Sequence, residues 1–349
     1  MLNSSASPNP LTEDLDLVLS QTGALWDSLR GGRLFLTGGT GFFGTWLLES
    51  FCWANRILNL NATAVVLSRN PSAFFAKAPH LKSDPSLSFH LGDVRDFSFP
   101  NGSFSHMIHG ATTSSAALNK EDPLLMLETI VAGTKRTLDF AVRAGVQSYL
   151  LISSGAVYGT QPSEITHMPE TYMGGPDVTN PDSAYGEGKR TAELLCAIYG
   201  TKHALQIKIA RCFAFVGPHL PLDAHFAIGN FIRDRLRGGP IVVNGDGTPY
   251  RSYLYAADLV IWLWTILLRG EVGRAYNVGS DEDFHISDIA RAVAQCGEEE
   301  QPVQIEGVKT SGPAQRYVPS TQRALKELSL KKSVPLSIGI KRTASWYAK

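Results

Sequence analysis

The chain has 349 residues and little of what several large function classes require. It has no excess charge of either sign, with 32 Lys and Arg against 32 Asp and Glu. Electrostatic binders of nucleic acid or of an anionic membrane surface need a basic face, so neither partner is expected. Four cysteines occur, Cys52, Cys196, Cys212 and Cys296, far apart and without CxxC or Cys/His zinc spacing. Reduced thiols in an intracellular, cytoplasmic protein are the expectation. None of the nine histidines forms an HExxH or HxxxH pair, so no metal site is expected. Long hydrophobic runs are also missing: the longest largely apolar stretch, Leu259–Leu268, spans ten residues, too few to cross a bilayer. The opening MLNSSASPNPLTEDLD has neither the basic nor the apolar segment of a secretory signal.

What is present can build a large core, since 44% of residues are apolar. The length corresponds to about two domains. Arg33–Thr37, Ala64–Ser68, His106–Ala111, Tyr149–Ser153 and Leu205–Ala210 read as strands buried on both faces, with helical stretches between them. Thr12 is a candidate N-cap of a first helix; Asp122 caps a longer one that has Pro123 in its first position. Strand-helix-strand alternation predicts a doubly wound parallel α/β sheet of Rossmann type with a smaller, discontinuous C-terminal lobe. The expected organisation is a lead-in and helix over 1–30, a dinucleotide-binding domain over 31–215 with an insertion at 160–183, and a mainly substrate-binding lobe over 216–349. Residues 255–280 are expected to return to the sheet.

The most informative segment runs from Arg33 to Gly44, RLFLTGGTGFFG. Gly38, Gly41 and Gly44 follow a strand and open a helix, the pattern of a turn that lets backbone N–H groups approach a pyrophosphate. Phe42, Phe43, Val94 and Ala111 are placed with them as cofactor-lining residues. The second strand ends in Ser68-Arg69 without a carboxylate, which favours the 2′-phosphate of NADP over the free hydroxyl of NAD. Asp93, after the third strand, is a candidate partner of the adenine amino group.

Tyr185 and Lys189 stand four apart, on one face of a helix. An ammonium beside a phenol favours the phenolate, so Lys189 is expected to lower the pKa of Tyr185 and make it a proton acceptor and donor. A Ser153-Ser154-Gly-Ala-Val-Tyr-Gly159 segment ends a strand 31 residues before Tyr185. Together with the glycine turn, these motifs resemble the extended short-chain dehydrogenase/reductase family, in its nucleotide-sugar epimerase/dehydratase branch, from about residue 32 to about 335.

The resemblance implies an NAD(P)-dependent enzyme acting on a nucleoside-diphosphate sugar. By that likeness Tyr185 is the general acid/base, Lys189 tunes it and holds the nicotinamide ribose, and Ser154 hydrogen-bonds the reacting oxygen. Arg251, in GDGTPYRSYLYAAD, and Arg316 are expected to grip the substrate diphosphate, with Asn230 beside them. Thr113 and Ser114 are further substrate candidates at the carboxyl edge of the sheet. His167, Tyr172 and His225 are weaker acid/base candidates. A homodimer through Pro123–Ala144 and Ala184–Gly200 is also implied.

Several departures from the family pattern bear on the reaction. The two positions after Ser154, typically Asp-Glu in sugar 4,6-dehydratases, are Gly155 and Ala156, which have no proton to give. Dehydration and decarboxylation are thereby disfavoured, and a 4-epimerase-type reaction is expected, with NADPH-dependent reduction of a 4-keto sugar as the alternative. Ile130, Ala214 and Ser252 replace the usual Asn, Asn and Asp. A non-catalytic dinucleotide-binding regulator is the rival from another class.

Overall fold

The computed structural model describes residues 9–112, 116–224, 226–308 and 312–348. The apolar runs form strands β1 (Arg33–Thr37), β2 (Thr63–Ser68), β3 (Leu87–Leu91), β4 (His106–His109), β5 (Ser148–Ser154) and β6 (Gln206–Cys212). A seventh strand, Arg274–Val278, completes a sheet in the order Arg274–Val278, β6, β5, β4, β1, β2, β3. Every neighbouring pair is parallel. The direction of winding reverses between β1 and β4, so the ligand crevice of such a sheet lies outside the carboxyl ends of these two strands. Strand β4 stops two residues before the expected Ala111. Gly110 and Ala111 turn aside to donate to the Thr37 carbonyl at 3.1 Å and the Thr37 hydroxyl at 3.1 Å.

The helix Pro123–Arg143 starts as its sequence predicts, the Asp122 carboxylate accepting from the Leu125 N–H at 2.9 Å. It buries Met126, Ile130 and Leu138 and packs along Ala184–His203. The first helix, Thr12–Thr22, has no side-chain cap from Thr12. Asn9 takes that role: its side chain accepts from the Leu11 N–H at 2.9 Å, and its carbonyl accepts from the Thr12 hydroxyl at 2.6 Å. This segment docks on the core, where Trp26 meets Trp264 with ring centroids 4.6 Å apart. Residues Ile261–Trp264, on the helix Ala256–Arg269, are fully buried rather than part of any site.

The second lobe holds the helix Ala227–Leu236, the strand Ile241–Val243 paired with Val303–Ile305, and a three-stranded sheet. In that sheet Tyr250–Arg251 lies between Phe284–His285 and Arg316–Tyr317. Among the described residues, no helix is long and apolar enough to cross a membrane. None of them forms a cluster of three or more His, Cys, Asp or Glu able to hold a metal ion.

Candidate active site

A crevice of about 1530 Å³ runs over the carboxyl ends of the strands and under the second lobe. Pockets for single small ligands usually span roughly 300–1000 Å³, so this one has room for two extended ligands side by side. At one end lies the glycine turn. Gly38 has φ +75°, and a Cβ there would stand 2.5 Å from the Gly110 backbone. A Cβ at Gly44 would meet the Gly38 carbonyl at 2.3 Å, so the helix Phe42–Ile57 presses directly on the turn. A Cβ at Gly41 would meet nothing closer than 3.6 Å. Gly41 opens that helix with no side-chain cap, which leaves the positive helix terminus to an anion, and Phe42 and Phe43 line the same wall. The cradle fits a dinucleotide pyrophosphate.

Beside the glycine turn the crevice is lined by Ser68, Arg69, Asp93, Val94 and Ala111. The Asp93 carboxylate holds Arg95 at 2.9 and 3.2 Å, and this hydrogen bond keeps its pKa below the usual carboxylate value. Asp93 nevertheless lines the crevice, and its carboxylate keeps lone pairs beyond those that hold Arg95. Arg69 is exposed, 4.0 Å from the same carboxylate.

At the crevice floor, the end of β5 meets the first turn of the helix Ala184–His203. Ser154, Tyr185 and Lys189 all line the cavity there. The Ser154 hydroxyl accepts from the Ala156 N–H at 3.1 Å and stands close enough to the Tyr185 phenol to lower its pKa. The expected tuning of Tyr185 by Lys189 is not what the geometry gives. Burial raises the Tyr185 pKa, and the Ser154 hydrogen bond offsets only part of that rise. The Lys189 ammonium sits 5.9 Å from the phenol ring centroid and donates to the Ile152 carbonyl at 2.9 Å. Burial brings Lys189 itself down to about 8. Tyr185 is thus held as a neutral phenol.

Two supporting networks escaped the sequence reading. His109 bridges the Thr37 and Thr134 hydroxyls at 2.7 and 3.1 Å, and burial lowers its pKa to about 3, so it is a neutral strut under the crevice. Behind β5, the Ser153 hydroxyl donates to Glu193 at 2.6 Å, and Glu193 pairs with Arg211 at 2.7 Å. Neither set has a motif, because its members are distant in the chain and meet only through packing.

On the lobe side, Asn230, Arg251 and Ala214 line the crevice. Arg316 does not. Its guanidinium pairs with Asp283 at 2.5 Å and lies 3.8 Å over the Tyr250 ring. Alternate residues of a strand face opposite sides, and here the crevice side belongs to Tyr317. Ile130 replaces a polar residue with packing, for a Cβ on Gly188 of the neighbouring helix would touch it at 3.0 Å. Ser252 is fully buried. His167 bonds the Asp281 carbonyl at 2.9 Å, and neither it nor Tyr172 lines the crevice. Thr113, Ser114 and His225 lie outside the described residues.

The winding of the sheet, the glycine cradle and the serine, phenol and ammonium at the strand ends define an extended short-chain dehydrogenase/reductase. The chain belongs to the NAD dependent epimerase/dehydratase family, whose model matches residues 34–279. It is 29% identical over 313 residues to UDP-glucuronic acid decarboxylase 1 of Arabidopsis thaliana, across 90% of this chain and 69% of that protein. A dTDP-glucose 4,6-dehydratase from Streptomyces venezuelae, DesIV, solved with NAD bound, is 25% identical with TM-score 0.76, covering 90% of this chain and 96% of that one. The UDP-glucose 4-epimerase of Thermotoga maritima shares the fold at 20% identity and TM-score 0.75, covering 90% and 98%. The cofactor type common to this family and to the cradle is a nicotinamide dinucleotide.

Proposed function

We propose that this protein catalyses a 4-epimerase-type reaction on a nucleoside-diphosphate sugar. The observation that carries the reading is the meeting of Ser154 and Tyr185 at the crevice floor beside Gly155 and Ala156, two residues with no titratable group. A dinucleotide held by the Gly38–Gly44 turn supplies reversible hydride transfer when bound. The chain's own part is proton handling and orientation. In the oxidative half Tyr185 must first give up its own phenol proton; as the phenolate it then takes the C4 hydroxyl proton while the carbonyl forms, and it returns that proton when the alcohol is restored. Ser154 hydrogen-bonds the same oxygen. Lys189 fixes the floor through the Ile152 carbonyl, and Asn230 and Arg251 are placed for the diphosphate, where a guanidinium binds bidentately. Elimination of water across C5 and C6 needs an acid and a base that positions 155 and 156 do not supply.

One observation favours a second reading, reduction of a 4-keto sugar. Burial holds Tyr185 protonated, the form a proton donor needs. The exposed Arg69 beside Ser68 supports a cofactor with a 2′-phosphate, NADP⁺ for epimerisation and NADPH for reduction.

Purified protein incubated with UDP-glucose, UDP-galactose, UDP-glucuronate, dTDP-glucose, GDP-mannose and CDP-glucose with NAD⁺ or NADP⁺, and separately with a 4-keto nucleotide sugar and NADPH, separates these reactions by product chromatography, mass and nicotinamide absorbance. An isobaric product with no net absorbance change supports epimerisation. Stoichiometric NADPH loss supports reduction, and release of CO₂ or water overturns both. We also propose a homodimer through Pro123–Arg143 and Ala184–His203, whose outer faces expose Leu124, Leu194 and Ile198. Light scattering showing a monomer at micromolar concentration would overturn that assignment.

A further inference from the structure

Gly155 and Ala156 leave the positions after Ser154 without an acid, yet the space beside them is occupied. A Cβ at Gly155 would stand 2.7 Å from the Tyr317 phenol oxygen and 2.9 Å from the Phe213 ring. A phenol from the second lobe has come to the place that a side chain at 155 would have to take. The short lobe sheet fixes its approach. Tyr317 is the register partner of Arg251, and Arg316 that of Tyr250. The two side chains of each pair share a face, so Tyr317 and Arg251 turn to the crevice while Arg316 and Tyr250 stack on the far side. The Phe213 ring, with its centroid 4.7 Å away, holds the Tyr317 ring in place. The Ser154 hydroxyl neighbours both phenols and lowers the pKa of each, Tyr185 and Tyr317.

We propose that Tyr317 is a further catalytic residue of this site: beside Ser154, its phenol O–H donates a hydrogen bond to the reacting sugar oxygen while Tyr185 exchanges the proton. The proposal rests on the nucleotide-sugar reading above. Burial raises the Tyr317 pKa, so the phenol stays protonated and acts as a donor throughout. The proton moves only between the sugar hydroxyl and Tyr185. Two preorganised donors at one oxygen stabilise the negative charge that grows there as the C–O bond changes order. The glycine at 155 is then a requirement of this arrangement, since any side chain there would displace the phenol.

Tyr317→Phe removes one oxygen and keeps the ring on Phe213. With whichever of the six sugars is turned over, the variant should lose on the order of 10²-fold in kcat. KM should change by less than about threefold, with unchanged affinity for NAD⁺ and an unchanged melting temperature. In wild-type protein carrying ¹³Cζ-labelled tyrosine, that sugar should shift the Tyr185 and Tyr317 resonances together. A Tyr317→Phe kcat within twofold of wild type, or a sugar that shifts Tyr185 alone, overturns the proposal and leaves the C4 reading standing. If none of the six sugars is turned over and none shifts either resonance, both fall together.

Discussion

Strand β5 begins with Ser148 and ends with Ser154, and a buried lysine stands near each end. At the start, the Lys208 ammonium donates to the Ser148 hydroxyl at 2.8 Å, and that hydroxyl donates on to the Leu267 carbonyl at 2.9 Å. At the far end, the Lys189 ammonium donates to the Ile152 carbonyl at 2.9 Å. Burial brings both lysines down to about 8. By titration alone the two ends are twins. They differ in what surrounds them. Lys208 faces His106, which burial lowers to about 4, and it is sealed against the helix Ala256–Arg269 with no opening to the crevice. Lys189 faces the cavity with two phenols and a serine hydroxyl within a few residues' reach. A perturbed lysine is therefore not by itself a mark of function; what marks the site is the crevice it opens on.

The comparison can be broken in several places, beginning with the largest expected effect. Tyr185→Phe should cost about 10²–10⁴-fold in turnover, the range for losing a general acid/base, with the melting temperature unchanged. Lys189→Met should also cut turnover strongly, whereas Lys208→Met should leave it within twofold. A Lys208 variant that loses as much activity as the Lys189 variant would abolish the distinction between the two ends.

Stability sharpens the same contrast. Burial lowers Lys208 from 10.5 to about 8 in the folded protein. Between those values the unfolded chain binds more protons, so the stability of wild type relative to Lys208→Met should rise with pH across that window. The rise is roughly 3 kcal/mol, read from denaturant unfolding at pH 7.5 to 10.5. A flat difference would show that Lys208 is already neutral or already solvated.

Smaller effects separate the two lobe arginines. Arg251→Ala should raise KM for the nucleotide sugar about tenfold, the loss of one charge-assisted contact. Arg316→Ala, which breaks the Asp283 pair on the outer face, should change KM by less than about twofold. The smallest effect is expected at the adenosine end, where Arg69→Ala should weaken NADPH binding several-fold and leave NADH unchanged in fluorescence titration.

Much of this was legible in the chain. β1 begins and ends at the predicted residues because a strand buried on both faces leaves an uninterrupted apolar run. The helix Pro123–Arg143 begins where Asp122 and Pro123 place it, since a cap and a fixed φ act locally. The helix start near Thr12 went to Asn9 because two short polar side chains compete for the same orphan N–H groups, and spacing does not decide between them. The choice between Arg316 and Tyr317 was not legible. A two-residue strand has no period from which to read its faces. The direction of the Tyr185 shift was missed for another reason. The i,i+4 spacing predicts proximity to Lys189, but the ammonium is drawn to the Ile152 carbonyl, and burial of the phenol sets the direction of the shift.

The sequence by itself determined the parts: a glycine turn after β1, a phenol and an amine on one helical face, and the absence of any acid at Gly155 and Ala156. These are local properties, set by residue type and by the 1.5 Å or 3.3 Å rise per residue of the backbone they sit on. Only the tertiary structure decided that Ser154 rather than Ser148 opens on a cavity, that Arg316 turns away, and that a second phenol arrives from the other lobe beside Gly155. Proximity across hundreds of residues and removal from water are consequences of packing, and no local pattern in the chain encodes them.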